Sequence, residues 1–289
     1  MGERDENQRL TPWQRLVMRN MRQRSGRGRG EPLQEEDWAA VLEAHASRQG
    51  RAIERLWSTL PSSPRCGMCG APFGRPGSLV AAPLGYRPSR MNPHLCSTCF
   101  EASPPGGATF DIGVLFADLR GFTRTSAELA PRDASALLAR FYKAAEKTLF
   151  PEAIIDKLIG DEVMALYLPH VELLPGARTI SDVMVEHARA LLARIGYGSA
   201  GGPFVDVGVG LDYGPAFVGN VGDRHLHDFT AVGDVVNTAS RLQGRAESGQ
   251  ILLSDRVADR LASPVGTRIE LALKGKPRPQ VAYRISVPR

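Results

Sequence analysis

The sequence predicts an α+β fold, in which a ferredoxin-like βαββαβ domain follows a helix and a small cysteine-rich module. Strand-like and helix-like patterns alternate after residue 108, and four cysteines lie in two close pairs before it. The chain has 289 residues, of which 43% are hydrophobic and 23% charged. These values are typical of a globular protein with room for one sizeable domain and a smaller one.

Composition divides the chain into four regions: a flexible arginine-rich arm at 1–30, a helical segment at 31–60, a cysteine module at 61–104 and the alternating domain at 108–289. The helix is predicted because Trp38, Val41 and Leu42 recur at helical spacing. Glycine and proline are frequent around the cysteines, and the Pro-Pro-Gly-Gly stretch at 104–107 predicts a linker.

Hydrophobic periodicity sets the elements of the last region. Strands are predicted at 110–118, 154–158, 163–168, 204–211 and 216–221, with helices at 134–145 and 183–195. The last two strands are expected to form a hairpin that turns at 212–214, where Asp-Tyr-Gly interrupts the apolar pattern. The resulting order is β-α-β-β-α-β, followed by further elements.

Two aspartates lie where predicted strands end. Asp118 ends the first strand, and Asp161 lies at the turn of the 154–168 hairpin. In a βαββαβ fold these strands are neighbours, so the two carboxylates are expected to meet at one sheet edge. Such a pair repels unless a cation lies between the two, and phosphate-bound Mg²⁺ fits that need. For either aspartate alone, a turn or helix cap is the simpler interpretation.

Two further patterns suit a phosphate group. The turn Gly121-Phe122-Thr123 opens a helix, whose free N–H groups and dipole favour an anion. In the predicted helix after residue 233, Asn237 and Arg241 are four residues apart on one face. An amide and a guanidinium on one face can orient a sugar and offset phosphoryl charge, although a solvated polar face is the commoner explanation of such a pair.

Together, residues 116–123, 157–161 and 228–241 resemble the three signature segments of class III adenylate/guanylate cyclases. The segments occur in the family's order and near its spacing, and the resemblance covers 108–289. Within the family the chain looks like a bacterial adenylate cyclase subgroup that carries threonine at the base-reading position. The resemblance implies that the protein converts ATP to 3′,5′-cyclic AMP and pyrophosphate, for intracellular signalling.

The resemblance also implies a role for each matching residue. The two metal ions, Mg²⁺ or Mn²⁺, would be held by Asp118, Asp161 and the backbone carbonyl of Leu119. The adenine base would be read by Lys157 and Thr230. The ribose and the transition state would contact the catalytic residues Asn237 and Arg241. The triphosphate would contact Phe122, Thr123 and Lys274.

The family builds each site from two subunits, so the resemblance implies a homodimer. One subunit would supply the aspartates, and the other would supply Lys157, Thr230, Asn237 and Arg241. A lysine cannot accept the proton at N1 of guanine, which favours ATP. Because the hydroxyl of Thr230 both donates and accepts, cyclisation of GTP or a pyrimidine nucleotide stays an alternative.

The four cysteines form two Cys-x-x-Cys pairs, Cys66 with Cys69 and Cys96 with Cys99. Four thiolates at this spacing can enclose a structural Zn²⁺, and the module would then help to organise the dimer. An iron–sulfur cluster is the main alternative, and a redox-active dithiol pair is the third. A neighbouring histidine, His94, is more simply placed outside the ligand set, since four cysteines complete a zinc site.

Charge and hydropathy bear on partners and location. The net charge of +5 favours anionic partners only weakly, and acidic residues dilute the arginine arm, so nucleic acid is not the expected partner. No apolar run approaches the about 18 residues that cross a bilayer, and no signal peptide is evident, which predicts a cytoplasmic protein. The alternatives from other classes are a catalytically passive nucleic-acid-binding regulator and another two-metal enzyme on the same core.

Overall fold

The computed structural model describes residues 56–289, apart from 58, 61, 63, 68, 90–92, 94, 100–105, 151, 170–177 and 223–226 and the side chains of 157–159 and 227. The predicted arm at 1–30, most of the helical segment at 31–60 and His94 therefore lie outside the described residues. The chain divides into two compact units. Unit 1 comprises 1–109 and 217–231, and unit 2 comprises 110–216 and 232–289.

The strands, in chain order, are β1 Gly106–Leu119, β2 Ile154–Ile159, β3 Glu162–Tyr167, β4 Val207–Gly222, β5 His227–Val232, β6 Gln250–Ser254, β7 Thr267–Leu271 and β8 Gln280–Ser286. The helices are α1 Ser78–Ala81, α2 Phe122–Glu128, α3 Pro131–Leu149, α4 Ile180–Ile195, α5 Asp234–Arg245 and α6 Asp255–Ala258. A short 3-10 turn, Ala82–Leu84, follows α1.

The sheet has the strand order β2-β3-β1-β4-β6-β8-β7, and β5 pairs with β4. The stretch β2-β3-β1-β4 is the arrangement of a ferredoxin-like βαββαβ fold, so the predicted fold class is confirmed. Strands β1 and β3 are antiparallel, and β4 and β6 are parallel. The elements after β4 extend the sheet beyond the four-stranded core.

Helices α3 and α4 bury their apolar sides in the main core of unit 2. Phe141 and Leu149 of α3 and Leu191 of α4 are fully buried with Leu115 and Tyr167 of the sheet. Each helix has a clear start: Pro131 occupies the first turn of α3, and the side chain of Thr179 forms a capping box with Asp182 before α4. The predicted helical periodicity at 134–145 and 183–195 therefore reflects burial on the sheet.

The predicted hairpin at 204–221 is wrong, because β4 runs without a turn from Val207 to Gly222. The Asp-Tyr-Gly stretch is part of the strand since the side chain of Asp212 is fully buried. Its carboxylate accepts hydrogen bonds from the Ser254 hydroxyl and the Arg256 guanidinium. The buried aspartate has a structural role here. Its preference for turns is overridden by hydrogen bonds to residues about 40 positions further along the chain.

Unit 1 contains the cysteine region and the remainder of the long strands. Part of the predicted linker, Gly106 and Gly107, belongs to β1 instead. A Cβ built at Gly107 would lie 2.2 Å from the carbonyl oxygen of Val218, so the missing side chain permits close approach of the two strands. Among the described residues, no helix has the length and hydropathy needed to span a lipid bilayer.

Candidate functional site

The sheet edge at the end of β1 gathers the two predicted metal-binding aspartates. Asp118 pairs in register with Glu162 at the start of β3, and Asp161 lies in the turn just before it. The backbone N–H of Leu119 donates to the carbonyl of Asp161 over 3.3 Å. Tyr142, on α3, fixes the same turn by donating its hydroxyl to the carbonyl of Gly160. The structure thus brings Asp118 and Asp161 to one place, as expected for the fold.

Two carboxyl groups at this edge, those of Asp118 and Glu162, have raised pKa values. The pKa of Asp118 rises to about 6 through burial and the charge of Asp161, against the opposing effect of Arg120. Burial and the charges of Asp118 and Asp161 raise the pKa of Glu162 to about 7. A divalent cation would relieve this repulsion, and carboxylate oxygens are the ligands that Mg²⁺ and Mn²⁺ prefer. The donor set therefore fits the predicted metal ions.

Glu162 and Arg120 belong to this edge, and sequence reasoning missed both. Glu162 could have been found from its place beside Asp161, but only the β1–β3 register puts it opposite Asp118. Arg120 could have been found from its spacing of two from Asp118. Its guanidinium Nη2 lies 2.9 Å from the Asp118 carboxylate, while its buried Nε has no hydrogen-bond partner among the described residues.

The turn after Asp118 leads directly into α2. Gly121 adopts a left-handed conformation at φ 72°, which glycine allows without strain, and the N–H groups of Arg124 and Thr125 donate to its carbonyl. Phe122 packs its ring partly against the main core, whereas the side chain of Thr123 is exposed. Any contact of Phe122 with a triphosphate would therefore come from its backbone.

A second set of predicted residues lies on α5. The helix buries Val235, Ala239 and Leu242, which leaves Asn237 exposed and Arg241 half-buried on the remaining surface. Asn237 and Arg241 therefore lie on the side of α5 that the core does not bury, which is the shared face that the sequence predicts. No hydrogen bond or ion pair joins this pair to Asp118 or Asp161 in the part of the chain that is described.

The loop between β7 and β8 lies beside α5. A Cβ built at Gly275 would lie 3.3 Å from the guanidinium Nη2 of Arg241, so the loop backbone passes close to that side chain. Lys276 binds both carboxylate oxygens of Asp234 at 2.7 Å, which ties the loop to the start of α5. Lys274 is exposed in the same loop. The loop therefore carries Lys274 and Lys276 alongside the helix that carries Arg241.

The two predicted base-reading residues lie in different strands. Lys157 lies in β2, where the pairing with β3 is interrupted by a bulge between Ile155 and Lys157; its side chain is outside the described part. Thr230 lies in β5, in unit 1, and is half-buried. Their predicted role in reading adenine stays a prediction.

The four cysteines form a compact cluster in unit 1. Their sulfur atoms all lie within 4.8 Å of one another, and Cys66, Cys96 and Cys99 are buried. Burial favours the neutral thiol, but hydrogen bonds from the other three thiols override it and lower the pKa of Cys66. The arrangement is a possible metal site.

Comparison with known proteins agrees with this architecture. The sequence model of the adenylate and guanylate cyclase catalytic domain matches residues 107–286. An adenylate cyclase of Anabaena cylindrica is 28% identical over 209 residues, which covers 63% of this chain and 40% of the relative. An adenylate cyclase of Mycobacterium bovis is 30% identical over 169 residues, covering 57% of this chain and 37% of the relative. The chain thus spans about two fifths of the length of these relatives.

Two solved structures share the fold. The adenylyl cyclase CyaB from P. aeruginosa is 27% identical with a TM-score of 0.53, over 63% of this chain and 96% of that one. The guanylyl cyclase Cya2 is 24% identical with a TM-score of 0.55, over 63% of this chain and 95% of that one. With its sheet order, its acidic edge and a family match over most of its length, this chain belongs to the adenylate and guanylate cyclase catalytic domain family.

Proposed function

We propose that the protein is an adenylate cyclase, which converts ATP to 3′,5′-cyclic AMP and pyrophosphate in the cytoplasm. The observation that carries the proposal is the meeting of Asp118 and Asp161 at one half-buried sheet edge, where their repulsion calls for cations. Because the chain belongs to a nucleotide cyclase family, we assign nucleotide cyclisation to that edge. The adenylate cyclases among the similar proteins favour ATP as the substrate.

In the reaction the ribose O3′ attacks the α-phosphorus, and the bond from that phosphorus to the pyrophosphate oxygen breaks. Two Mg²⁺ or Mn²⁺ ions would supply charge neutralisation and acidify the 3′-hydroxyl. Asp118, Asp161 and the carbonyl of Leu119 would hold these ions at the sheet edge. Asn237 orients the ribose, and Arg241 offsets the charge that develops on the α-phosphoryl oxygens. Phe122 and Thr123, through their backbone, and Lys274 bind the triphosphate.

A homodimer completes this site. No hydrogen bond or ion pair joins the acidic edge to the α5 pair within the described residues of one chain, and Asn237 is exposed on its helix. A second copy would bring its Asn237 and Arg241 to the aspartates of the first. The two-fold symmetry of such a dimer would produce two equivalent sites.

Base selection rests on Lys157 and Thr230. The lysine ammonium donates to N1 of adenine, and the threonine hydroxyl accepts from the N6 amine. Cyclisation of GTP or of a pyrimidine nucleotide is the second candidate, because the Thr230 hydroxyl can also donate. Zinc at the cysteine cluster would be structural in this proposal and take no part in the reaction.

The test is turnover of ATP, GTP, CTP and UTP with Mg²⁺ or Mn²⁺, followed by subunit mixing. We expect Asp161→Ala and Asn237→Ala each to abolish cyclic AMP formation. Random mixing of the two variants should restore about one quarter of the wild-type rate, because half of the dimers then carry one intact site of two. Asp133→Ala removes an exposed carboxylate from α3 and is the matched control.

Other results of these assays would change the proposal in different ways. Faster turnover of GTP would reassign the base specificity and leave the reaction in place. No recovery on mixing would contradict the shared site. If no nucleotide reacts with either metal ion, and the protein instead binds nucleic acid with steep salt dependence, a passive regulator would replace the cyclase proposal.

A further inference from the structure

We infer that the four cysteines bind one Zn²⁺ ion, and that this ion together with Arg65 anchors the entering segment, the described residues 56, 57, 59 and 60 that precede the cysteine module. The inference concerns unit 1 alone and does not depend on the proposed reaction. Its basis is the spacing of the four sulfur atoms and the set of carbonyl groups that surround the guanidinium of Arg65.

The sulfur geometry fits a single metal ion. Zinc–sulfur bonds of about 2.3 Å in a tetrahedron place neighbouring sulfur atoms about 3.8 Å apart. The sulfur atoms of Cys69 and Cys96, one from each pair, are 3.7 Å apart, and all four lie within 4.8 Å. Disulfide sulfur atoms would lie about 2.05 Å apart. An iron–sulfur cluster spreads its four thiolates over several iron atoms, which requires wider spacing than one ion does.

The backbone around the cysteines has the form of two metal-binding knuckles. In the first, Gly70 donates its N–H to the carbonyl of Cys66 over 2.9 Å and adopts φ 71°, where a side chain would be strained. In the second, Cys96 forms an isolated bridge with Pro88. Two N–H groups point at sulfur: Cys96 donates to Cys66 over 3.2 Å, and Cys99 donates to Cys96 over 3.3 Å. Such bonds stabilise thiolates.

Arg65 directly precedes Cys66, and its guanidinium donates to the carbonyls of Gly70, Trp57 and Leu60, at 3.1 Å and 2.8 Å for the first two. One carbonyl belongs to the first knuckle and two belong to the entering segment. Arg65 therefore connects the first knuckle to Trp57 and Leu60 of the entering segment.

The entering segment contains its own reporter. Trp57 is 4% exposed, and its ring packs edge-on against Tyr86 at a centroid distance of 5.3 Å. If the metal is removed, the first knuckle loses its constraint, and the carbonyl of Gly70 no longer holds Arg65 in place. Trp57 should then become exposed to water. Zinc binding thus controls how Trp57 and Leu60 are held on the module.

The experiment uses the full chain as purified. We expect about one zinc per chain by elemental analysis, a spectrum without visible absorption, and release of that zinc to a chromogenic chelator after thiol modification. Chelation should shift the tryptophan emission to longer wavelength, and the shift should be lost in Trp57→Phe. The variant Asp161→Ala should contain as much zinc as the wild type, which keeps this test separate from the cyclase proposal.

Arg65→Ala should keep its zinc but release it several-fold faster, and it should show the red-shifted emission before chelation. The matched control is Arg87→Ala, which removes an exposed arginine from the same module. Cys69→Ser should lower the zinc content, but the chelation and Arg65 measurements decide the question even if that variant fails to fold. Iron with visible colour, absence of metal from the purified chain, or an unchanged Trp57 signal after zinc loss would each overturn the inference.

Discussion

Arg120 and Asp118 form an ion pair at the edge where the metal ions are proposed to bind, with 2.9 Å between Nη2 and Oδ2. The Nε of Arg120 lies close to Gly208 of β4, where an added Cβ would be 3.0 Å from it. The guanidinium therefore has a defined position beside the carboxylate. A divalent cation at Asp118 must displace this pair or share the carboxylate with it.

Arg120→Ala should strengthen divalent metal binding. The pair is partly exposed, so removing it should release about 1 kcal/mol of competing interaction, or about fivefold in the Mn²⁺ dissociation constant. Manganese titration monitored by electron paramagnetic resonance at pH 8 measures this without turnover. Arg120→Lys, which keeps the charge, should bind close to the wild-type level. Weaker binding by Arg120→Ala would show instead that the guanidinium orients Asp118.

Metal affinity should fall as the pH is lowered from about 8 to about 5. Asp118 with a pKa of about 6 and Glu162 with a pKa of about 7 take up protons in this range, and a protonated carboxyl is a poor ligand.

The stability of the metal-free protein should change with pH in the opposite direction to the metal affinity. Both folded-state pKa values are raised, so these groups favour folding most at low pH, and that contribution is lost as the pH rises toward 7.

Mn²⁺ titrations across this pH range measure the metal affinity, and thermal unfolding of the chelator-treated protein measures the stability. Glu162→Gln should move the midpoint of the metal-affinity profile to lower pH, because it removes the negative charge of Glu162 beside Asp118. A profile that does not move would contradict the coupling between these groups.

Gly210→Ala should destabilise unit 2 and reduce cyclase activity. An added Cβ would lie 2.2 Å from the backbone nitrogen of Gln243 and 2.3 Å from the carbonyl of Ala239, so α5 must move away from β4. Overpacking of this kind costs about 1–3 kcal/mol, and it displaces Asn237 and Arg241 as well. Thermal unfolding and initial rates measure the two effects.

The matched control lies on the same helix. A Cβ at Gly244 meets no atom of the described residues within 4 Å beyond the helix's own backbone, so Gly244→Ala should stabilise α5 by up to about 1 kcal/mol through helix propensity. Equal destabilisation by the two variants would show that α5 is not packed on β4 as described.

Lys276→Ala should raise KM for ATP more than it lowers kcat. Lys276 is held by Asp234, which positions the 274–276 loop beside Arg241, and its loss should leave Lys274 poorly placed for a triphosphate. A several-fold rise in KM is the expected result from steady-state kinetics. Arg268→Ala breaks a more exposed ion pair with Glu270 and should leave both constants unchanged. A fall in kcat alone would place Lys276 in the chemical step.

The core of the sheet could be predicted from the sequence because hydrophobic alternation and helical periodicity both reflect which side chains the fold buries. The meeting of Asp118 and Asp161 followed from strand order alone. Glu162 was missed because its place opposite Asp118 depends on the β1–β3 register, which no local pattern reports. Arg120 was missed although it lies only two residues after Asp118. The hairpin at 212–214 was wrong because the partners of Asp212 lie far along the chain.

The lack of any polar contact between the acidic edge and the α5 pair among the described residues has a consequence for gene dosage. If two chains must meet to complete a site, output below the dimer dissociation constant depends on the square of the amount of protein. Halving expression would then lower cyclic AMP production by about fourfold. In such a cell the abundance of the chain is itself a control on the signal, because every increase in copy number raises both the number of subunits and the fraction that are paired.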